Sequence, residues 1–521
     1  MKKLKLPNQK KAYKDLGKRL DRYTKKILAI YTILAKEASK IATSTDFDGD
    51  GEFSFDDYPR TEKKVNALLD YYSNNMQTLV YNGISDEWKN SNTLQDLLAK
   101  RVIGTFTRKI SDAKKKAFFE HNNAAKKAFV ERKKGGLNLS ERIWNQKDDV
   151  KEALEKTLSV GIEKGMSAVN LSKKVSKYLN DYPSLAKDYK KKYGKAITIQ
   201  NCEYRSVCLA RNEINMAYRS AEQERWARMD YIKSKKIKPS GSHPKRDMCD
   251  ELEGIYPLEF DWNGWHVNCM CYAIPVIMTE DEYWSLGPKQ KVSEVPKQFN
   301  DYIARNESRI LSYKSTPFFL VNNEQYITSG KILKSVRGKQ FLLLKKDKNY
   351  TDVAINAKGG LKATHVNHET GEKKQEVCIG QLTGYDLEKE LRDLAFNNGH
   401  SVILCEEGKQ LQNGTQATAL DMIFDGVRMD IRSVCSKSGF YHNQIKAKNV
   451  QLYKWNKQQN DTSSSVCLYF HDKSLFHEEN MDESYKRFIA RAKKNKQQVV
   501  IKNILCAIKD GENLIIKRFS F

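Results

Sequence analysis

The chain lacks any apolar run long enough to cross a membrane. Its longest mainly apolar stretch, residues 27–35, is far shorter than the roughly 20 residues that a membrane helix needs. The N-terminal residues are basic, but no apolar segment follows them, so they do not predict a secretory signal. We therefore expect a protein with no membrane partner.

Cysteine is not concentrated anywhere that would suggest a disulfide-stapled domain. The ten cysteines are scattered along 521 residues, a pattern that excludes a small secreted disulfide framework and favours a reducing compartment. Internal repeats and low-complexity tracts are also lacking. A protein made inside a cell, and used there or packed into something assembled there, is expected.

Acidic residues are outnumbered by basic ones. The chain has 91 Lys and Arg against 65 Asp and Glu, a formal net charge of +26, which favours a polyanionic partner such as DNA or RNA. Lysines are spread along the whole chain, with denser runs at residues 190–192 and 233–238. That spread suits general phosphate attraction better than a sequence-reading surface. A soluble, lysine-rich surface without such a partner is the alternative.

The length and the hydrophobic pattern predict a multidomain α+β protein, because 521 residues are too many for one core. Apolar residues recur at helical spacing, as at Val65, Leu68 and Tyr72, in a mainly α-helical body at residues 1–230. Residues 231–280 form an irregular module. A connector at 281–356 includes a small strand-rich piece with a strand at 341–344. Residues 357–521 alternate helix and strand and predict an α/β domain.

An acidic loop between two predicted helices nearly matches the calcium-loop template. Gly51 stands where the template makes its sharp turn, but Asp57 stands at position twelve instead of Glu and reaches bidentate geometry less easily. There is also no second copy of the loop. The alternative is an acidic turn, with Pro59 starting the next helix. The predicted calcium ligands are Asp46, Asp48, Asp50, Glu52 and Asp57.

Cysteine and histidine cluster near the middle of the chain. Cys249 lies upstream of residues 264–271, which contain His266, Cys269 and Cys271. Thiolates and imidazole are zinc ligands, and four of them close a tetrahedral, structural site. His243 is a reserve ligand, and buried thiols without metal are the alternative. Since few apolar residues here would hold the loop, we expect loss of zinc to unfold the module.

Three segments in order carry a family resemblance: a predicted helix at 206–219, a His-Pro segment at 242–250 and the cysteine-rich ending at 264–271. Together they resemble the phage Mu F-like head morphogenesis, or minor head protein, family over about residues 10–280. Asn212, Val267 and Met270 depart from its pattern, and none is an expected ligand. The resemblance implies a minor virion protein that joins the procapsid near the portal. Portal and capsid proteins would be its partners, and the virion, or the host cytoplasm during assembly, its location.

The C-terminal region predicts an ordered series of elements. A helix at 385–397 and a strand at 401–404 are followed by a hairpin turning at Asp425 and Gly426, because Asp-Gly between apolar runs is a strong hairpin signal. A helix near 442–450 and a strand at 466–470 come next, then a helix at 482–494 and two final strands. The order helix, strand, hairpin, helix, strand resembles the core of PD-(D/E)XK nucleases.

That resemblance implies a divalent metal held by acidic side chains at a phosphate. The matching positions are Asp421 and Asp430, with Glu390 on the first helix. Alternate residues of a strand face the same side, so Asp430 and Arg432 can share a pocket. Arg432 stands where the family has Lys. Arg cannot shed a proton to act as a base, although it can clamp a phosphate.

The same region also resembles nuclease toxins of polymorphic and contact-dependent inhibition systems, which include metal-free tRNases. This implies His365 and His368 as acid and base, Arg432 as a clamp, and an immunity protein as partner. Both mechanisms stay open. The function expected is a phage minor head protein acting in capsid assembly, with a C-terminal nuclease-like domain directed at RNA, tRNA included, or DNA. The alternative is a structural virion protein whose C-terminal domain is an inactive interaction module.

Overall fold

The protein is described here as a computed structural model. It describes residues 6–47, 49–134, 137–198, 201–241, 247–285, 292–313, 316–370, 374, 377–407, 418–435, 437–459 and 463–521, with the backbone alone at 377–379. The chain has a mixed α+β fold that divides into two compact units. The first comprises Met1–Met229, Pro239–Ser242 and Trp262–Tyr272; the second comprises Asp230–Lys238, His243–Asp261 and Ala273–Phe521. The four predicted domain ranges stay predictions.

The first unit is helical, and the predicted helical character up to about residue 230 is confirmed. Its helices within the described residues are α1 (Gln9–Ala42), α2 (Pro59–Ile103), α3 (Asp112–Phe119), α4 (Asn123–Glu131), α5 (Leu139–Trp144), α6 (Gln146–Gly161), α7 (Ala168–Asn180), α8 (Tyr182–Tyr193) and α9 (Cys202–Arg228). Pro59 begins α2, as expected of a residue with no backbone N–H to leave unpaired. Within the described part of the chain, no helix combines the length and the apolar character of a membrane span.

Helices α1, α2 and α9 pack against one another around a partly polar interior. A Cβ atom at Gly83 would lie 2.4 Å from Ile214 Cδ1, so α2 and α9 approach closely there. Tyr13 Oη donates to the Glu222 carboxylate at 2.7 Å, and Trp226 Nε1 donates to Gln95 Oε1 at 2.7 Å. These buried polar groups therefore find partners on neighbouring helices.

The second unit begins with a small sheet and a helical connector. The sheet has the order β2-β1-β3, with β1 (Ile232–Lys238), β2 (Gly254–Tyr256) and β3 (Tyr272–Ile277). The helices of this part are α10 (Met248–Glu251), α11 (Glu280–Ser285), α12 (Lys297–Arg305), α13 (Glu307–Leu311), α14 (Phe318–Val321) and α15 (Gly330–Lys346).

The predicted strand at residues 341–344 is wrong, because these residues form the last turns of α15. The helix begins after Ser329, whose side chain accepts a hydrogen bond from the Ile332 N–H. Leu342 and Leu343 are 56% and 71% exposed. A short apolar run does not by itself distinguish a strand from a helix, and the helical cap upstream decides this one.

The C-terminal part is built on one eight-stranded sheet of order β13-β12-β11-β10-β9-β8-β5-β4. The strands are β4 (Tyr350–Ile355), β5 (Leu361–His365), the separate pair β6 (Val377–Ile379) and β7 (Leu382–Thr383), β8 (Ser401–Leu404), β9 (Met422–Phe424), β10 (Val427–Ser433), β11 (Ser465–Phe470), β12 (Asn503–Asp510) and β13 (Asn513–Ser520). The helices are α16 (Gly384–Asn397), α17 (His442–Gln459) and α18 (Met481–Lys494). Every element predicted from residue 385 onward is present, although α17 continues to Gln459, beyond its predicted end near residue 450.

Along the chain, the elements that form the middle of this sheet and its neighbouring helices follow the order α16, β8, β9, β10, α17, β11. Strands β8, β9 and β10 are antiparallel neighbours, and β10 is parallel to β11. Asp425 and Gly426 turn the β9–β10 hairpin with φ of 44° and 81°, the left-handed pair that this turn requires. Side chains of β11 alternate between two cores: Cys467 packs on the α16 side and Val466 on the side of α17 and α18.

Arg337 on α15 ties the connector to the large sheet. Its guanidinium donates to the carbonyls of Gly359 and Gly399 at 2.7 and 2.8 Å, to Asp425 Oδ1 at 2.7 Å and to Glu324 Oε2 at 3.1 Å. The Arg337 side chain is 1% exposed. All of these acceptors would lose their donor together if Arg337 were removed.

We predict that Arg337→Met destabilises the second unit by about 3–5 kcal/mol, because it leaves the buried Glu324 carboxylate without its cation and removes donors from Asp425 and two carbonyl oxygens. Lys339→Met on the same helix is the control, since Lys339 is exposed. Thermal and urea unfolding of the full chain measure the difference. Equal losses in the two variants would contradict this role for Arg337.

Candidate functional site

Four buried carboxyl groups and three basic side chains gather at one end of strands β8, β9 and β10. Their members are Glu388, Glu407, Asp421, Asp430, His368, Lys374 and Lys448. We call this set the carboxylate cluster. Its four acids are all at most 9% exposed. Charges buried to this degree are retained only when they are paired or bind a cation.

Strand register brings two of the acids together. Met422 on β9 pairs with Met429 on β10, so Asp421, one residue before Met422, lies opposite Asp430, one residue after Met429. The Ile431 N–H donates to Asp421 Oδ2 at 2.7 Å. Two carboxyl groups from neighbouring strands are thereby held at the same edge of the hairpin.

Helix α17 supplies the groups that face this pair. Lys448 Nζ lies 3.0 Å from Asp430 Oδ1 and 3.5 Å from Asp421 Oδ2. Gln451, one helical turn later, donates through Nε2 to Asp430 Oδ1 at 3.3 Å. Residues three apart share a helix face, which lets one turn of α17 contact both acids.

Lys374 pairs with the other side of the cluster. Its Nζ lies 2.9 Å from Glu388 Oε1 on α16 and also pairs with Glu407 and Asp421. Tyr385 Oη donates to Glu407 Oε2 at 2.9 Å. Three acids from three separate parts of the chain thus converge on one ammonium group.

The surroundings of His368 stabilise its protonated, positively charged form. Nδ1 lies 2.7 Å from the Cys405 carbonyl oxygen and Nε2 lies 2.9 Å from Glu388 Oε2. Both partners are acceptors, so both ring nitrogens donate and the ring is an imidazolium. Burial opposes this charge, but the hydrogen bond to Glu388, the charge of Glu388 and the bond to the Cys405 carbonyl together outweigh burial and raise the pKa of His368.

The acids of the cluster divide into ionised and protonated members. Burial would raise the pKa of Asp421, but Lys448 and Lys374 hold it well below its usual range. For Asp430, burial and the charge of Asp421 together raise the pKa well above its usual range. Burial raises the pKa of Glu407 to about 7. Acids with separated pKa values on one site are typical of functional centres.

The donor set fits a divalent metal ion. His368, Glu388 and Glu407 form one group of the described residues whose ligand atoms lie within 4.8 Å of one another. Asp430 Oδ2 is buried, and Asp430 shares a hydrogen bond with the Asp421 carboxyl group, so release of the proton they share would make Asp430 a carboxylate ligand. Because His368 is an imidazolium, the ligands offered here are the carboxylate oxygens, and these suit Mg²⁺ or Mn²⁺.

The structure brings only part of the predicted nuclease site together. Asp421, Asp430 and His368 belong to the carboxylate cluster. Glu390 does not: its carboxylate lies 2.8 Å from Lys509 Nζ and pairs with Tyr469. Arg432 is exposed. The helix residue that enters the cluster is Glu388, two positions before Glu390.

His365 lies at the end of β5, apart from the acids named above. Its Nδ1 accepts the Asn367 N–H at 3.1 Å, and its ring packs edge-on against Tyr350 at 5.2 Å. These contacts give it a structural role in the turn that leads to His368. The expected pairing of His365 with His368 in acid–base chemistry has no contact that favours it.

The acidic loop of the first unit uses its carboxylates in ion pairs. Glu52 pairs with Lys195 and Lys156 at 2.7 and 3.1 Å, and hydrogen bonding from Lys195 leads the effects that lower its pKa to about 2. Among the described residues, the groups that could hold a metal do not include Asp46, Asp50, Glu52 or Asp57. Asp48 lies outside the described residues. Calcium binding stays a prediction.

The cysteine module contains candidate metal ligands. The described residues include groups of Cys, His, Asp and Glu that could hold a metal ion, because the ligand atoms of each group lie within 4.8 Å of one another. The predicted zinc ligands Cys249, His266, Cys269 and Cys271 are among the members of these groups. In the first unit, the Cys269 and Cys271 thiols belong to one such group. His266 Nδ1 donates to the Val267 carbonyl at 2.8 Å, the tautomer that presents Nε2 to a metal. His243 lies outside the described residues.

Helix α9 positions the loop that carries these cysteines. Arg219 donates to the carbonyl oxygens of Asn263, Cys269 and Cys271 at 2.7, 2.6 and 2.9 Å, and Asn215 donates to that of Cys269 at 3.0 Å. The expectation that few apolar residues support this module is wrong. The large aromatic side chains of Trp262 and Trp265 are each 1% exposed. They pack against each other with ring centroids 6.1 Å apart.

No family model, curated protein or solved structure matches this chain. Function is therefore inferred from the chemistry of the chain's own residues.

We predict that the stability of the second unit falls as the pH rises from about 5 to 8. Glu407 and His368 have raised pKa values in the folded protein, so the folded state binds more protons than the unfolded state below those values. This contribution is present at low pH and is lost as pH rises through the folded pKa. Glu407→Gln should flatten the pH dependence of the melting temperature. A slope equal to wild type would contradict the raised pKa of Glu407.

Proposed function

We propose that the C-terminal part of the chain, residues 350–521, is a metal-dependent nuclease that acts through the carboxylate cluster. The observation that carries this proposal is the meeting of Asp421, Asp430 and Lys448 at the edge of the β9–β10 hairpin. The order α16-β8-β9-β10-α17-β11 supports it, because it matches the nuclease core that the sequence resembles.

Each residue has a role that its geometry supports. Asp421, ionised by its lysine partners, and Asp430, after release of its proton, would supply carboxylate ligands for the metal. A divalent cation held there would polarise a phosphodiester and stabilise the negative charge that develops on it. Lys448 holds the two acids in place and keeps its proton, because Asp421 and Asp430 outweigh the effect of burial and raise its pKa. It therefore acts as a positive charge and a donor, not as a base.

Helix α17 thus takes the part that the sequence assigned to Arg432. The lysine that the nuclease pattern places on the strand is replaced at that position by Arg432, which is exposed. Lys448 reaches the same pair of acids from the helix that follows the hairpin. An ammonium beside Asp430 is therefore provided by a different element of the same fold.

The net charge of +26 supports a nucleic acid as substrate, RNA or DNA, with tRNA among the RNA candidates. We also propose, from the sequence resemblance alone, that the whole chain acts as a minor head protein in phage capsid assembly. Portal and capsid proteins would then be its partners and the virion its location. An immunity protein that protects the producing cell belongs to the same proposal.

Zinc is the metal that we propose for the cysteine module. Thiolate-rich groups favour zinc over the oxygen-preferring cations that suit the carboxylate cluster. The proposed ligands remain Cys249, His266, Cys269 and Cys271. Arg219 and the buried tryptophans support the loop as well, so zinc is not its sole source of order.

We predict that the purified full chain cleaves tRNA or plasmid DNA in Mg²⁺ or Mn²⁺, and that EDTA abolishes cleavage. Asp421→Asn and Lys448→Met should each lower the rate at least about 100-fold, because the first removes a metal ligand and the second removes the positive charge beside the two acids. Gel assays of cleavage rate against metal concentration measure this.

Glu390→Gln and His365→Ala are the matched controls and should leave the cleavage rate within about twofold of wild type. Cleavage that survives EDTA and fails in His365→Ala would overturn the proposal in favour of metal-free chemistry. No cleavage of either substrate would favour an inactive interaction domain instead.

For the cysteine module, we predict that the purified chain contains zinc and that Cys269→Ser lowers its zinc content by more than half. Thiolate is a stronger zinc ligand than a hydroxyl. Cys435→Ser, which alters an exposed cysteine, should leave the zinc content unchanged. Elemental analysis of the proteins after dialysis decides the matter, and equal zinc in both variants would contradict the assignment.

A further inference from the structure

The ammonium group of Lys374 occupies a position that resembles a metal-binding position. It pairs with Glu388 at 2.9 Å and with Glu407 and Asp421. These acids come from α16, from the residues just after β8 and from the residue just before β9. The Lys374 side chain is 22% exposed, whereas its three partners are at most 9% exposed.

Three acids converge on the Lys374 ammonium, which is more negative charge than one lysine can balance. A single ammonium neutralises one of these three negative charges, and Lys448 and His368 offset others from the far sides of the cluster. Three or more carboxylate oxygens around one cation are instead typical of the ligand shells of Mg²⁺, Mn²⁺ or Ca²⁺. Asp430, which shares a hydrogen bond with Asp421, adds a fourth buried carboxyl group beside this arrangement.

We propose that the Lys374 ammonium lies where the catalytic divalent cation binds, and that lysine and metal exclude each other. Lys374 is then an internal competitor that sets the metal concentration at which the site becomes active. This inference rests on the proposed nuclease function and adds a means of regulating it.

Two cations cannot share these three acids, for electrostatic reasons. Two positive charges a few ångströms apart repel strongly in a buried site, where the effective dielectric constant is low. The stem of Lys374 is flexible and partly exposed, so the ammonium can leave toward water and the buried acids cannot. Burial disfavours the charge of Lys374, but its acidic partners raise the pKa of Lys374, so the ammonium leaves by exchange for another cation and not by losing its proton.

The first experiment measures Mn²⁺ affinity in the full chain by isothermal titration calorimetry, with zinc already saturating the cysteine module. Lys374→Met should bind Mn²⁺ about tenfold more tightly than wild type, because no internal cation has to be displaced. Lys389→Met is the matched control, since Lys389 lies on α16 and pairs with Glu369 outside the cluster. Asp421→Asn should remove this Mn²⁺ site in every background, which separates it from sites elsewhere in the chain.

A second measurement uses wild-type protein, so it does not depend on a variant in which three buried acids lose a shared cation. Amine acetylation followed by mass spectrometry should label Lys374 at least about threefold faster with saturating Mn²⁺ than without it, because the released ammonium is exposed to reagent. Labelling of Lys389 should not change.

The outcomes separate this inference from the nuclease proposal. Mn²⁺ binding that depends on Asp421 and releases Lys374 supports the exchange even if no nucleic acid is cleaved. Equal or weaker Mn²⁺ affinity in Lys374→Met, or Mn²⁺ binding without a change in Lys374 labelling, overturns the exchange even if the chain proves to be a metal-dependent nuclease.

Discussion

The buried carboxyl groups of the second unit are the constraint on which its structure depends. An unpaired carboxylate in a protein interior is costly, and this cost is offset only by nearby cations and donors or by protonation. The cluster shows all three: Asp421 lies between two lysines, Glu388 holds an imidazolium, and Asp430 is raised in pKa by its neighbours. Helices α16 and α17 are therefore fixed against the sheet by charge as well as by apolar contact.

Much of the fold could be predicted from the sequence because local signals agreed with tertiary packing. The Asp425-Gly426 turn and the alternating strands beside it leave little choice of register. The strand predicted at 341–344 was wrong because four consecutive apolar residues have no period, and the cap at Ser329 carried the information instead. Long, strongly periodic elements were predictable, and a short run without a period was not.

The positions of two acids were predictable because strands determine them, whereas His368 was expected for a different, metal-free role. Asp421 and Asp430 follow from the hairpin, because register alone places them opposite each other. On α16 both Glu388 and Glu390 flank the apolar stripe, with Leu391 three residues after Glu388 and Leu387 three residues before Glu390, so helical period does not choose between them. Lys374 and Lys448 are remote in sequence from the acids they contact, and only the folded chain brings them near.

The two units meet the same physical problem in different ways. In the first unit, the buried guanidinium of Arg219 donates hydrogen bonds to backbone carbonyls of the cysteine loop. These carbonyls are fixed partners that cannot be exchanged for others. In the carboxylate cluster the partners are side chains, and the partner Lys374 is the one that reaches solvent. A buried guanidinium bound to carbonyls gives rigidity, whereas a partly exposed ammonium among carboxylates can be replaced by another cation. That difference is why we place chemistry at the cluster and not at the polar core around Arg219.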